Sequence, residues 1–177
     1  IYSDLYLTVG GSSIQTDHLI FASTASAWGM DSPYARSKVA AEDVIKQISP
    51  NFTIFRFFNV SGSDGEFSQH GEATHLIRIA AEVAAGKRPE LVVNGDDYDT
   101  PDGTCVRDYI HVVDLCNSIL KAINEGPKNT HYESLGTTEG SSVYDVMRAM
   151  QSATGEKVPV VVGPRRPGDT PVSVVEI

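Results

Sequence analysis

The sequence predicts an α/β protein built on part of a doubly wound parallel sheet, with a smaller mixed α/β region beside it. Apolar runs that read as buried strands lie at His18–Ala22 and Phe52–Phe58, and a segment with helical spacing separates them. Strand, helix and strand in that order make a right-handed crossover, which pairs the two strands in parallel. The rest of the chain alternates helical segments with short strands and turn-rich loops. It has no internal repeat, low-complexity tract or linker that would separate independent domains.

His18-Leu19-Ile20-Phe21-Ala22 ends in small polar residues, so the C-terminal end of this strand opens into a loop. Asp31 or Ser32 can cap the following helix and Pro33 suits its first turn. Val39, Ala40, Val44, Ile45 and Ile48 then recur at helical spacing up to Ser49-Pro50. After the second strand, Gly, Ser and Asp mark residues 59–71 as a long loop, and 73–85 reads as a helix stopped by Gly86. Leu91–Val93 is a short strand and 94–103 is rich in turn residues. Val112–Ile123 is a helix closed by Gly126-Pro127, and Ser141 or Ser142 caps another that runs to Gly155. Val158–Val162 is a last strand, leading into Pro164-Arg165-Arg166-Pro167-Gly168-Asp169.

At 177 residues the chain has room for one domain or a little more, and it can bury a core. With 41% hydrophobic and 21% charged residues it is close to the globular average, which excludes collagen, a disulfide mini-protein and a disordered chain. Its 14 Lys and Arg against 23 Asp and Glu give a net charge of −9, and no basic stripe is present. A broad nucleic-acid surface is therefore excluded, while single basic residues remain able to grip a small anion. Cys105 and Cys116 lack the close spacing of a metal or redox motif and read as two buried reduced thiols in a cytoplasmic protein. No apolar run reaches the roughly 18–20 residues that span a bilayer, so no membrane partner is expected. The start at Ile1 without Met and the apolar close Val174-Val175-Glu176-Ile177 suggest a segment of a longer chain.

Tyr34 and Lys38 lie four apart on the first predicted helix and share one face. An ammonium beside a phenol favours the phenolate, so the pair could act as a general base, although the same spacing is common on solvated helix faces. Ser23 and Thr24 stand where the preceding strand ends, at the edge where open parallel sheets bind ligands. A hydroxyl there can orient a substrate oxygen beside the tyrosine.

Three segments carry a recognisable pattern: Phe21-Ala22-Ser23-Thr24-Ala25, Pro33-Tyr34-Ala35-Arg36-Ser37-Lys38 and Arg56-Phe57-Phe58-Asn59-Val60-Ser61-Gly62. They resemble the extended short-chain dehydrogenase/reductase superfamily. The stretch from Gly95 through Arg107-Asp108-Tyr109-Ile110-His111 to Val112, and Pro164–Asp169, are similar to signatures of its UDP-glucose 4-epimerase family. The resemblance runs from Leu19 to the C-terminus. It implies that residues 1–65 form the C-terminal part of a Rossmann-type NAD-binding domain and 66–177 a UDP-sugar-binding region, with segments that can interleave.

By the same resemblance, Tyr34 takes the proton of the sugar 4-hydroxyl while a hydride passes from C4 to tightly held NAD. Lys38 holds the phenolate and the nicotinamide ribose, Thr24 bonds the same hydroxyl, and Ser23 and Phe57 complete the cofactor contacts. The 4-keto sugar turns over and receives the hydride on its opposite face. Arg107 and Arg166 match the family's diphosphate contacts, as planar guanidinium forks suit. Asn59 and Asp169 match its polar substrate contacts, and His75, Leu76, Val92 and Asn94 flank the nucleotide. Ser173 falls beside the C2 substituent of the sugar, where serine leaves room for an N-acetyl group. The complete protein would be a homodimer. For Arg107 alone, an ion pair with Asp108 or Asp114 is the plainer reading, and for Arg165-Arg166 a solvated loop.

No metal site is expected: His111 reads as a core histidine and Cys105 as a buried thiol, while His18, His70 and His131 read as surface or loop residues. The sequence departs from the family in several places. The opening strand with its G-x-x-G-x-x-G turn is not here, and Gly10-Gly11-Ser12-Ser13, with too few glycines and no helix after it, is rejected as a phosphate loop. The stretch from Thr24 to Tyr34 is short, Trp28 stands where Tyr is usual and Arg78 where Pro is usual. Ala25 and Ser26 replace the acid pair of the sibling nucleotide-sugar dehydratases, which disfavours dehydration. A non-catalytic UDP-sugar-binding or interaction module is the alternative from another class, and the missing glycine-rich turn is its support.

Overall fold

The computed structural model describes residues 17–67, 71–126 and 130–176. The Gly10–Ser13 run, His70, Pro127 and Ile177 lie outside the described residues. The chain divides into two compact units, Ile1–Phe57 with Val113–Leu135, and Phe58–Val112 with Gly136–Ile177.

In the first unit, β1 (Leu19–Thr24), α1 (Pro33–Ile48) and β2 (Phe52–Phe57) form the expected strand–helix–strand unit. The strands are parallel, with Leu19 opposite Phe52 and Thr24 opposite Phe57. β1 runs two residues beyond the expected Ala22, so Ser23 and Thr24 belong to the strand. Ser32, rather than Asp31, caps α1: its hydroxyl accepts from the Ala35 N–H at 3.0 Å, and Pro33 follows where no intrahelical donor is needed. The buried face of α1 is Ala35, Ala41, Glu42 and Ile45, at helical spacing. Ile45 packs with Phe52 and Ile54 against Leu19 and Phe21. Each such side chain contributes about 1.5–3 kcal/mol of burial.

A third parallel strand, β6 (Thr130–Leu135), lies on the other side of β2, with Phe52 opposite Thr130. It carries His131 and Glu133 and is mostly exposed, so it shows no apolar run in the sequence.

In the second unit, β5 (Val106–His111) is the centre. Its C-terminal half pairs in parallel with β3 (Asn59–Ser61), and its N-terminal half lies between antiparallel β7 (Gly140–Ser142) and parallel β9 (Val172–Ser173). None of these strands was expected: three are two or three residues long, and β5 mixes charged with apolar residues. β3 replaces the beginning of the predicted 59–71 loop.

β4 (Leu91–Asn94) and β8 (Val160–Gly163) form a separate parallel pair. α2 (Leu76–Ala84) and α4 (Val143–Thr154) cover it through Val83, Leu91 and Val158, with Leu76, Ile79, Met147 and Met150 packed around them. Ser142 caps α4 in a reciprocal capping box with Asp145. α3 (Val112–Glu125) follows β5 directly. Among the described residues no helix is long and apolar enough to cross a membrane.

Candidate active site

The ligand edge of the first unit is the C-terminal end of β1, where a parallel sheet opens. Ser23 and Thr24 are both buried there, and Phe57, last residue of β2, is the register partner of Thr24. Thr24 Oγ1 accepts the Ser26 N–H at 3.3 Å, capping a 3-10 turn over Ala25–Trp28. That bond uses an oxygen lone pair and not the hydroxyl proton. Tyr34, in the first turn of α1, is 56% exposed. One turn on, Lys38 Nζ donates to the Ala22 carbonyl at 2.9 Å, and stands 5.1 Å from the Phe21 ring centroid and 5.9 Å from that of Tyr34. The ammonium is thus tied to the strand that ends in Thr24 while facing the Tyr34 ring.

Beneath this edge lies a charged cluster that the sequence reading missed. Glu42 is buried on α1 and takes Arg56 Nε at 3.1 Å and Nη2 at 2.7 Å. The Ser23 hydroxyl donates to Glu42 Oε1 at 2.5 Å, and the Arg56 guanidinium lies 4.3 Å from the Trp28 ring centroid. Burial opposes the charge on Glu42, but the bonds from Arg56 and Ser23 outweigh it and hold its carboxyl below the ordinary value. The hydroxyl proton of Ser23 is therefore committed inward, leaving oxygen lone pairs and backbone for a ligand. A signal was available: Arg56 interrupts an aromatic strand, and Glu42 falls on the apolar face of α1.

In the second unit, Arg107 Nη1 donates to the carbonyls of Val106 at 2.9 Å and Thr170 at 2.8 Å, and its Nη2 is 3.7 Å from Asp169 Oδ1. Ser173 pairs in register with Arg107, and Asn59 Nδ2 donates to the Asp108 carbonyl at 3.2 Å. Arg107, Asn59, Asp169 and Ser173 are thereby gathered along β5. Neither acid weighed as the partner of Arg107 holds it. Asp114 is exposed on α3, and Asp108 is fully buried. Asp108 Oδ1 accepts from Thr137 N at 2.7 Å and Thr137 Oγ1 at 2.9 Å, and its Oδ2 from Thr138 N at 2.9 Å and Val175 N at 3.2 Å. It ties strand ends together.

The segment after β8 carries Arg166 and Asp169. The Arg166 carbonyl accepts the Asp169 N–H at 3.2 Å across Pro167-Gly168, and Gly168 has φ +84°, the geometry of a type II turn. Arg166 is exposed, and its guanidinium has no hydrogen-bond or ion-pair partner among the described residues. Val92 is exposed on β4, where Asn94 pairs in register with Gly163. His75 caps α2 through its backbone alone, and Leu76 begins the helix.

Two expectations are corrected. Cys105 is buried, but Cys116 is exposed because it falls on the outward side of α3; both thiols are free. His111 is exposed at the end of β5 and not in the core; its ring sits against Gly62, where a Cβ would fall 2.2 Å from Nε2. Among the described residues no cluster of three or more His, Cys, Asp or Glu could hold a metal ion.

The fold is α/β, with Tyr34, Lys38 and the buried Thr24 at the C-terminal edge of a parallel sheet, and comparison with known proteins gives its family. Residues 12–134 match the NAD dependent epimerase/dehydratase family, and the chain belongs to that family. It is 36% identical over 190 residues to the UDP-glucose 4-epimerase of Azospirillum brasilense, covering 93% of this chain and 55% of that protein. The UDP-glucose 4-epimerase of Pasteurella multocida is 43% identical over 153 residues, covering 80% of this chain and 45% of its own length. Among solved structures, the UDP-glucose 4-epimerase of Bifidobacterium longum in complex with NAD+ and UDP superposes with a TM-score of 0.84 at 34% identity. That match covers 90% of this chain and 55% of the other. The chain spans about half the length of the curated relatives it matches.

Proposed function

We propose that the full-length protein interconverts UDP-glucose and UDP-galactose by NAD-dependent 4-epimerisation through a transient 4-keto sugar. The observation that carries this reading is the Tyr34–Lys38 pair, pinned to the ligand edge of β1 by the 2.9 Å bond from Lys38 to the Ala22 carbonyl. Relatives of the same name and a superposable structure holding NAD+ and UDP support it. An ammonium, a phenol and a buried hydroxyl at one sheet edge suit the hydroxyl-rich groups of a nicotinamide ribose and a hexose.

NAD, when bound, supplies the hydride acceptor and donor. Tyr34, as phenolate, takes the proton of the 4-hydroxyl and returns it after the sugar has turned over. Lys38 stabilises the phenolate and holds the nicotinamide ribose. Thr24 bonds the reacting oxygen, and Ser23 and Phe57 line the cofactor side. Arg107 and Arg166 grip the diphosphate, Asn59 and Asp169 supply polar contacts, and His75, Leu76, Val92 and Asn94 hold the nucleotide. Anchoring the nucleotide and diphosphate leaves the hexose free to rotate between its two faces, which epimerisation requires. The reading assigns residues 1–65 chiefly to the cofactor and 66–177 chiefly to the substrate, with interleaved segments, and places the protein in the cytoplasm as a homodimer.

Replacing Tyr34 with Phe in the full-length protein removes the proton acceptor and little else. Turnover is expected to fall by about 100-fold or more, with UDP-sugar affinity nearly unchanged. A variant that keeps its turnover would overturn the assignment.

A further inference from the structure

Arg165 precedes the exposed Arg166, and its surroundings are of a different kind. Its Nε donates to Asp97 Oδ1 at 2.6 Å, and its Nη2 donates to the Asp97 carbonyl. The guanidinium carbon lies over the Tyr98 ring, 4.3 Å from its centroid. Tyr98 is itself buried, and its hydroxyl has no hydrogen-bond partner of good geometry among the described residues. Gly95 completes the seat: at φ +84° it lies so close that a Cβ would come within 2.7 Å of Arg165 Cγ and 3.0 Å of Tyr98 Cε2. On the far side of the turn, Asp169 is held by Arg107 at 3.7 Å. The Pro167-Gly168 turn is therefore clamped at both ends, with Arg166 between the clamps.

Two of the five donors of Arg165 are committed to Asp97 and its guanidinium lies over the Tyr98 ring, so its place is set by groups of this chain. The adjacent Asp97 carboxylate, held below its ordinary pKa chiefly by the hydrogen bond from Arg165, repels a phosphate. We infer that Arg165 is a positioning residue: through Asp97, Tyr98 and Gly95 it fixes the turn that presents Arg166 to a nucleotide diphosphate, and it does not contact that diphosphate itself. The inference rests on the reading of Arg166 as a diphosphate contact.

The test is the affinity of the full-length protein for UDP and for uridine, in Arg165→Ala, Asp97→Ala, Arg166→Ala and the Arg165→Ala/Arg166→Ala double variant. Loosening the turn should weaken UDP by about threefold to tenfold in either clamp variant. Uridine, which has no diphosphate, should bind as before, whereas general damage to the fold would weaken both. The double variant should bind UDP no worse than Arg166→Ala, because the clamp acts only through the residue already removed. Additive losses would make Arg165 a direct contact and overturn the inference. So would equal weakening of uridine, or unchanged UDP binding by the clamp variants while Arg166→Ala loses affinity. If Arg166→Ala itself binds UDP normally, the diphosphate reading fails and the inference falls with it.

Discussion

Glu42→Gln keeps the shape of the side chain under the ligand edge of β1 and removes its charge. Glu42 is 1% exposed and receives two bonds from an Arg56 side chain that is 15% exposed, plus the Ser23 hydroxyl. Hydrogen bonds to charged groups are worth about 1.5–3 kcal/mol and neutral ones about 0.5–1.5. The amide can accept from Arg56 through one oxygen only, so one charge-assisted bond is lost and the other weakened. That sum is about 3 kcal/mol, at the low end for breaking a buried pair, since Arg56 keeps some water and the face of Trp28. The carboxyl is held below its ordinary value of 4.5, so its contribution is complete above that pH and is lost as pH falls through the lower folded value. Urea unfolding of wild type and Glu42→Gln should therefore differ by about 3 kcal/mol at neutral pH, the gap closing in acid. Equal stability at neutral pH, or a gap that acid leaves untouched, would refute the reasoning. Glu42→Leu/Arg56→Met, which removes both charges, should lie nearer wild type than Glu42→Gln.

Arg166→Ala should weaken UDP and UDP-glucose by the same factor, about tenfold, since both share the diphosphate; isothermal titration with the two ligands checks this, and unchanged UDP affinity would return Arg166 to a solvated loop. Gly136→Ala would place a Cβ 2.5 Å from Val175 Cγ2 and 2.6 Å from Asp108 Oδ2, so thermal unfolding should show a loss of about 1–3 kcal/mol. Ser173→Tyr should suppress turnover of N-acetylated UDP-hexoses while sparing UDP-glucose and UDP-galactose; a parallel loss of both activities would count against it.

The legible part of the fold is the part that segregates apolar residues at one period. β1, α1 and β2 could be read because Ile45, Phe52 and Ile54 recur in long, regular elements. β3, β5, β7 and β9 could not, because strands of two or three residues hold no full period and β5 alternates Arg107 and Tyr109 with the buried Asp108 and Ile110. Their pairing is fixed by long-range contacts such as Asp108 to Thr137, Thr138 and Val175, which leave no local trace.

Motif matching finds a site as a block of residues and does not sort those that meet a ligand from those that hold them in place. Burial and hydrogen bonding separate side chains with open donors from those whose donors are used within the chain. In the first unit Tyr34 is exposed, while Ser23, from the preceding matched segment, has its proton turned inward to Glu42. In the second, Arg107 spends donors on the carbonyls of Val106 and Thr170, Arg165 is exposed but held by Asp97, and Arg166 is exposed with no such bond among the described residues. A charge whose donors are used internally contributes to a ligand mainly through its field, which salt screens, whereas one with open donors offers directed bonds as well. Arg166 should therefore hold more of its contribution to diphosphate binding at high salt than Arg107, a contrast that the two arginines, taken as motif letters, would not have suggested.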